Sequence, residues 1–291
     1  MMNKALISEA RKKFHANMIA TNTLTLTKEG TASNADSSST SSKAAASRMA
    51  EIIADKCGCK INVMNKISGQ TLGRQFEVLV SEFLSDTFLK LNDIRPGKWV
   101  IRRAGSGIKT SDFTQYEHLE LLSELINDNP QLAAVIGSEY IIIPDIVIYR
   151  ERYDDEELNL HSYIVDNDTC LASDIRKING GRPVLHASIS AKYTIRSDRA
   201  QNSRTEALNL IRNRKGHLPH IVAVTAEPMP GRIASLALGT GDIDCVYHFA
   251  LYELAQAVKE YCSDDSREML DTLINGKRLK DISDLPLDLA I

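Results

Sequence analysis

The sequence predicts an α/β fold with a mixed central β-sheet flanked by helices. Three observations carry that expectation. Apolar residues recur at helical spacing in several windows, as in RQFEVLVSEFLSDTFLKL, where Phe76, Leu79, Val80 and Phe83 share one face. Other windows are β-branched and alternate with period two, as in PVLHASISAKYTI. The two kinds of window interleave along the chain, the pattern of strands covered by helices.

Taken in order, the first 60 residues read as an N-terminal helix followed by a Ser-rich arm, ahead of a core spanning 61–291. Residues 30–47, GTASNADSSSTSSKAAAS, lack periodicity, and composition alone reads them as a flexible linker. AAASRMAEIIADK at 44–56 predicts a helix, and a second follows SGQTLG, with Glu77 at the edge of its apolar stripe. On such a flank an acid ordinarily faces water. DFTQYEHLELLSELINDNPQLAAVIG predicts one or two further helices broken at Pro130. SEYIIIPDIVIYRE reads as a strand interrupted by Pro144 and Asp145, the proline requiring an edge position or a bulge. In the next strand Ala187, Ile189, Ala191, Tyr193 and Ile195 share one face, and Ser188, Ser190, Lys192 and Thr194 the other. A helix follows with Ser197 as its expected N-cap. HIVAVTAEP predicts a third strand, with Arg232 in the loop EPMPGR, and DCVYHFALYELAQAVKEYC a short strand entering a helix.

Length and composition narrow the classes of function. A chain of 291 residues with 43% hydrophobic content can bury a substantial core. MMNKALISEARKKFHANM has no continuous apolar region of the kind a secretory signal needs. The most apolar run, YIIIPDIVIY, is too short for a bilayer, so no membrane association is expected. Cys57-Gly-Cys59 lacks a second pair of zinc ligands, and the five cysteines read as thiols in a reducing cytoplasm. Charge is distributed unevenly. Lys192 to Gly216 holds seven Lys or Arg against two acids, a net +5 in a chain of −3, so the remainder carries −8. Phosphate binding depends on such local cation density, so the acidic total does not exclude a nucleic-acid partner.

The chemistry concentrates on a few residues. A carboxylate inside an apolar strand is costly unless paired or metal-bound, which singles out Asp145. Lys192 ends the neighbouring strand on its polar face, and Glu206 follows fourteen positions later on the next helix. Together with Glu77 these form a candidate set of hard oxygen donors and one cation, suited to Mg²⁺ and to phosphodiester hydrolysis. Arg196, Asp198 and Arg199 crowd the start of the same helix. From a helix end in the major groove, arginine can donate to guanine and aspartate can accept from cytosine. Residues alone leave two further readings open: a sequence-specific DNA-binding protein without catalysis, and an oligomer using the charge cluster for assembly.

PDIVI, the run from SISAKYTIRSDRAQNSRTEALNLIRNRKG through YHFALYEL, and the terminal NGKRLKDISDLPLDLA resemble the CCGG family of type II (type IIF) restriction endonucleases, as do SNAD at 33–36, GQT at 69–71 and FE at 76–77. The resemblance implies a PD-(D/E)xK restriction-endonuclease-like fold forming a single domain over 1–291. It implies Mg²⁺-dependent cleavage of double-stranded DNA at the palindrome GCCGGC, after the first G, leaving 5′ overhangs. A homotetramer of two dimers and a cognate DNA methyltransferase belong to the same expectation. Residue by residue, Asp145 matches the shared metal ligand and Lys192 the catalytic lysine. Glu206 takes the acidic role usually placed two residues before the lysine, where this chain has Ser190, and Glu77 matches a further active-site acid. Ala191 stands where the family has cysteine, and the metal contact implied there is through its backbone carbonyl. Arg196, Asp198 and Arg199 match the readers of the inner base pairs, Arg232 and Asp36 those of the outer pair, and Gln70 a minor-groove contact; Ser38 joins the DNA-binding set. On this comparison the Ser-rich arm contacts DNA. Residues 37–60 depart most from the family and carry insertions.

Overall fold

A computed structural model describes residues 4–103, 107–129, 131, 142–195, 197–239 and 241–291, with backbone alone for 197–200. Six strands form one mixed sheet in the order β1-β2-β3-β4-β5-β6: Trp99–Arg103, Ile146–Arg150, Val184–Lys192, His220–Thr225, Cys245–His248 and Leu279–Asp281. The first three pair antiparallel and β3 to β6 run parallel. The helices are α1 (Leu6–Ala20), α2 (Thr40–Cys57), α3 (Gly69–Thr87), α4 (His118–Asn127), α5 (Asp155–Leu158), α6 (Ser197–Asn213), α7 (Pro230–Ala237), α8 (Leu251–Tyr261), α9 (Asp264–Asn275) and α10 (Leu285–Asp288). The expected α/β architecture with a mixed sheet flanked by helices is the one observed.

Strand β3 is the centre of the arrangement. Its alternation places Tyr193 against Phe76 of α3, ring centroids 5.6 Å apart, on one face. On the opposite face Ser190 Oγ lies 3.2 Å from Ser203 Oγ of α6. Alternate side chains of a strand point to opposite faces, so α3 and α6 cover the sheet from opposite sides. One continuous apolar cluster includes Phe14 of α1, Ile53 of α2, Phe76, Ile189, Val224, Leu254 and Leu289. The N-terminal segment and the sheet therefore share a core, and each fully buried large apolar side chain contributes about 1.5–3 kcal/mol relative to exposure. Helix α1 is also fastened by Arg11, which donates to Glu253 of α8 (2.6 Å) and Asp281 of β6 (2.8 Å); both carboxylates are fully buried. Among the described residues no helix is long and apolar enough to cross a membrane.

Several local expectations are corrected. The stretch read from composition as a linker enters helix at Thr40, four residues before the expected start. Ser39 caps it by accepting from Ser42 N at 3.2 Å, and Gly58 ends it in the left-handed region at φ 69°. Ala45, Ala46, Met49 and Ala50 are fully buried, so the small residues that suggested flexibility instead permit close helix packing. Pro144 and Asp145 precede β2 rather than interrupt it. The strand is therefore internal, between β1 and β3, without a ladder hydrogen bond lost to proline. Arg232 lies on α7, whose first turn begins with Pro230, and not in a loop. Helix α6 begins at Ser197 itself. Pro130 and the first residues of the expected strand before Ile142 lie outside the described residues. Strand β1, α9 and β6 had no counterpart in the sequence reading.

Candidate active site

Antiparallel pairing of β2 with β3 puts Ile146 opposite Ile189, so the residue before β2 lies beside the C-terminal end of β3. Asp145 uses that position. Its Oδ2 accepts from Lys192 Nζ at 2.8 Å and from Ala191 N at 2.9 Å. Both side chains of this ion pair are 21% exposed, which leaves them open to a reactant. Lys192 O accepts from Ala226 N on the β4 side at 3.4 Å. Successive residues of a strand send their amide groups to opposite edges, so the Ala191 carbonyl points to the same side as Asp145.

Two further acids act on this pair. Glu77, half-buried on α3, is raised above the ordinary glutamate value, first by burial and then by the charge of Asp145, with Lys192 opposing. Glu206, half-buried on α6, is raised first by burial, with Lys192 lowering it and Asp145 raising it. Glu77 is thus not a solvated flank residue. Ser190 lies on the same strand face as Lys192 and meets Ser203, one helical turn before Glu206. Elements far apart in sequence therefore bring Glu77, Asp145, Lys192 and Glu206 into one electrostatic neighbourhood, with three carboxylates against the lysine. Among the described residues no three His, Cys, Asp or Glu side chains stand together as a ready-made cation cage. The donor chemistry nonetheless suits a hard divalent cation: of the three acids Asp145 is the one directly paired with Lys192, and burial, with the charge of Asp145 adding to it, holds the other two up.

Beside this group opens a cleft of about 850 Å³, lined in part by Asp36, Lys66, Gly69, Ile195, Arg204 and Arg232. Arg232 donates to Asp36 Oδ2 on the cleft's wall. Asp36 Oδ1 also accepts from Ser38 N (2.9 Å) and Ser38 Oγ (2.7 Å). Those hydrogen bonds, with Arg232, hold the Asp36 carboxyl well below the usual carboxylate range. Gln70 is exposed on the first turn of α3, next to the cleft-lining Gly69. Arg196 lies outside the described residues, as do the side chains of Asp198 and Arg199; the α6 backbone that carries the latter two begins at Ser197, five residues after Lys192 ends β3.

One buried residue behind the cleft-lining Ile195 and Arg232 escaped the sequence reading. Glu227, in the AEP segment after β4, is fully buried, and burial raises its carboxyl to about 7. A lone acid at the end of the apolar run HIVAVT was the available signal, of the same kind that singled out Asp145.

Comparison with known proteins agrees with this geometry. The chain is 48% identical over 288 residues to the type II restriction enzyme NgoMIV of Neisseria gonorrhoeae, covering 98% of this chain and 99% of that protein. The family model described as NgoMIV restriction enzyme matches residues 14–291, which takes in every candidate site residue. On that extent of match, joined to the Asp145–Lys192 pair at the end of β3, the chain belongs to the NgoMIV restriction enzyme family.

Proposed function

We propose that this type II restriction enzyme hydrolyses double-stranded DNA at GCCGGC, cutting after the first G to leave four-base 5′ overhangs, with Mg²⁺ as its metal. The observation that carries the catalytic part is Asp145 Oδ2 held between Lys192 Nζ and Ala191 N, with Glu77 and Glu206 in its field. Asp145, Glu206 and the Ala191 carbonyl are the groups that would hold the metal. Bound there, Mg²⁺ supplies an activated water and neutralises charge on the scissile phosphate. Lys192 places its ammonium where negative charge develops on the phosphoryl oxygens, and Asp145 fixes its direction. Glu77, raised by burial and by Asp145, is suited to hold or pass a proton at the edge of the site. Ser190 leaves room for Glu206 to approach from α6 in place of an acid on the strand.

Sequence choice is assigned to the cleft. Arg196, Asp198 and Arg199 read the inner CCGG pairs from the start of α6, while Arg232 and Asp36, supported by Ser38, read the outer pair and Gln70 touches the minor groove. The Asp36–Arg232 contact supports this by holding both outer readers in place before DNA arrives. A homotetramer is supported by the β2–β3 connection, where Leu160, Tyr163, Ile164, Leu171 and Ile178 are all exposed. A cognate methyltransferase acting on the same site belongs to the proposal.

Incubating a plasmid carrying GCCGGC with the protein, with and without Mg²⁺, tests the reading. Cutting at that sequence only with metal supports it. Intact plasmid with a sequence-specific gel shift would make the chain a DNA-binding protein without catalysis.

A further inference from the structure

We infer that Glu227 is a positioning residue that ties the reading of the inner base pairs to the reading of the outer pair. Its carboxylate is buried at the meeting point of the elements that carry the readers. Oε2 accepts from Ile195 N at 2.9 Å, and Ile195 directly precedes Arg196. Oε1 accepts from Met229 N at 3.2 Å, and Met229 is the N-cap of α7, which carries Arg232 three residues on. The Arg232 guanidinium lies 3.9 Å from Oε2 and also pairs with Asp36. The arm is fastened to the same point, because Asn34 Nδ2 donates to Ala226 O at 2.7 Å, one residue before Glu227. From the other side Tyr193 OH donates to Thr23 O at 2.7 Å and meets Ser33 Oγ, so β3's exit is gripped by the arm as well.

The chemistry explains why a carboxylate suits this place. Two backbone N–H groups from different elements arrive at one side chain, and both need an acceptor. A carboxylate offers acceptors on both oxygens, whereas an amide offers one acceptor and presents an N–H₂ to the second backbone donor. Glutamine of the same size therefore fills the space and releases one of the two elements. Glu227 does not reach the cleft itself, being fully buried, so it acts through Ile195 and Met229 and not on a base.

The inference rests on the assignment of Arg196 and Arg232 as base readers, and the test separates the two. Affinities of the parent, Glu227→Gln and Arg232→Ala are measured on three duplexes: GCCGGC, one altered in the outer pair, and one altered in the inner pairs. Melting temperatures are recorded alongside. Glu227→Gln is expected to lose tenfold or more of its discrimination at both positions, and Arg232→Ala at the outer position alone. In the double variant the outer losses are expected to be less than multiplicative, because both act on one guanidinium. Should Glu227→Gln melt far below the parent, Glu227→Asp replaces it; two acceptors retracted by one methylene are expected to weaken both discriminations in parallel. A selective parent whose Glu227 variants keep the inner discrimination would overturn the coupling alone. A parent indifferent to GCCGGC would remove the underlying assignment and the coupling with it.

Discussion

Asp145→Asn keeps the shape of the side chain and removes one negative charge from the centre of the candidate site. Asp145 Oδ2 now accepts two hydrogen bonds, from Lys192 Nζ at 2.8 Å and Ala191 N at 2.9 Å. Hydrogen bonds to charged groups contribute about 1.5–3 kcal/mol. The pair is partly open to solvent, which pulls the contribution toward the lower end. In the opposite direction, Asp145 repels Glu77 and Glu206 and helps hold both above the ordinary glutamate value. Neutralising it relieves that repulsion, so the unfolding free energy should change by no more than about 1 kcal/mol. Catalysis has no such compensation. Removing one pre-organised charge at a reacting centre costs about 2.7–4 kcal/mol, and Lys192 loses its anchor as well. Initial rates of plasmid cutting at saturating Mg²⁺ should therefore fall by about a thousandfold or more. Melting temperature and cognate binding should be retained. A variant that cuts within tenfold of the parent would refute the assignment, and one that fails to fold would mark the ion pair as structural.

Arg232→Ala should cost about 1–3 kcal/mol at the outer pair, roughly 5- to 150-fold in relative affinity, and binding assays on inner-pair variants should show no comparable change. Arg11→Leu should lower stability by about 3–5 kcal/mol, because it leaves the fully buried Asp281 without its guanidinium and Glu253 with Lys56 alone; urea unfolding measures it, and a loss under 1 kcal/mol would contradict the stated role of the network. Stability should also fall on acidification. His15, His186 and His248 are held by burial at about 4, below the value near 6.5 of unfolded histidine, so the unfolded chain binds more protons between those values and stability is lost as pH drops through them. Glu227, held at about 7, contributes with the opposite sign between about 4.5 and 7, as do the raised Glu77 and Glu206. His118 and His220, also lowered by burial, add to the three histidines, and the histidines together outweigh the acids. Denaturation midpoints that stay flat from pH 6.5 to 4.5 would contradict this account.

The sequence disclosed most where one physical signal acted alone. Strand β3 alternates so cleanly that its faces, and the position of Lys192, followed directly from the pleat. Helix α3 followed from the spacing of Phe76, Leu79, Val80 and Phe83. Asp145 stood out because an acid beside an apolar run needs a partner, and its partner is Lys192. Other features depended on tertiary context. The Ser- and Ala-rich stretch is polar in composition, yet it folds into α2 because Ala45 and Ala46 are small enough to be buried. Strand β1, WVIRR, has too few residues to show a period and acquires its state by pairing with β2. Arg232 looked like a loop residue because Pro228 and Pro230 both shortly precede it, but proline in a first turn begins a helix. Glu227 could not be assigned from sequence, since its importance lies in joining the local Met229 N to Ile195 N, a backbone donor that arrives from a distant segment.

The most direct test of the acid pocket is a crystal of the protein with cognate duplex, soaked in Mn²⁺ and examined by anomalous scattering. A peak bonded to Asp145, with the Ala191 carbonyl facing it and Glu206 in direct or water-mediated contact, is the predicted result. A peak elsewhere on the chain, or none while Asp145 still holds Lys192, would contradict it.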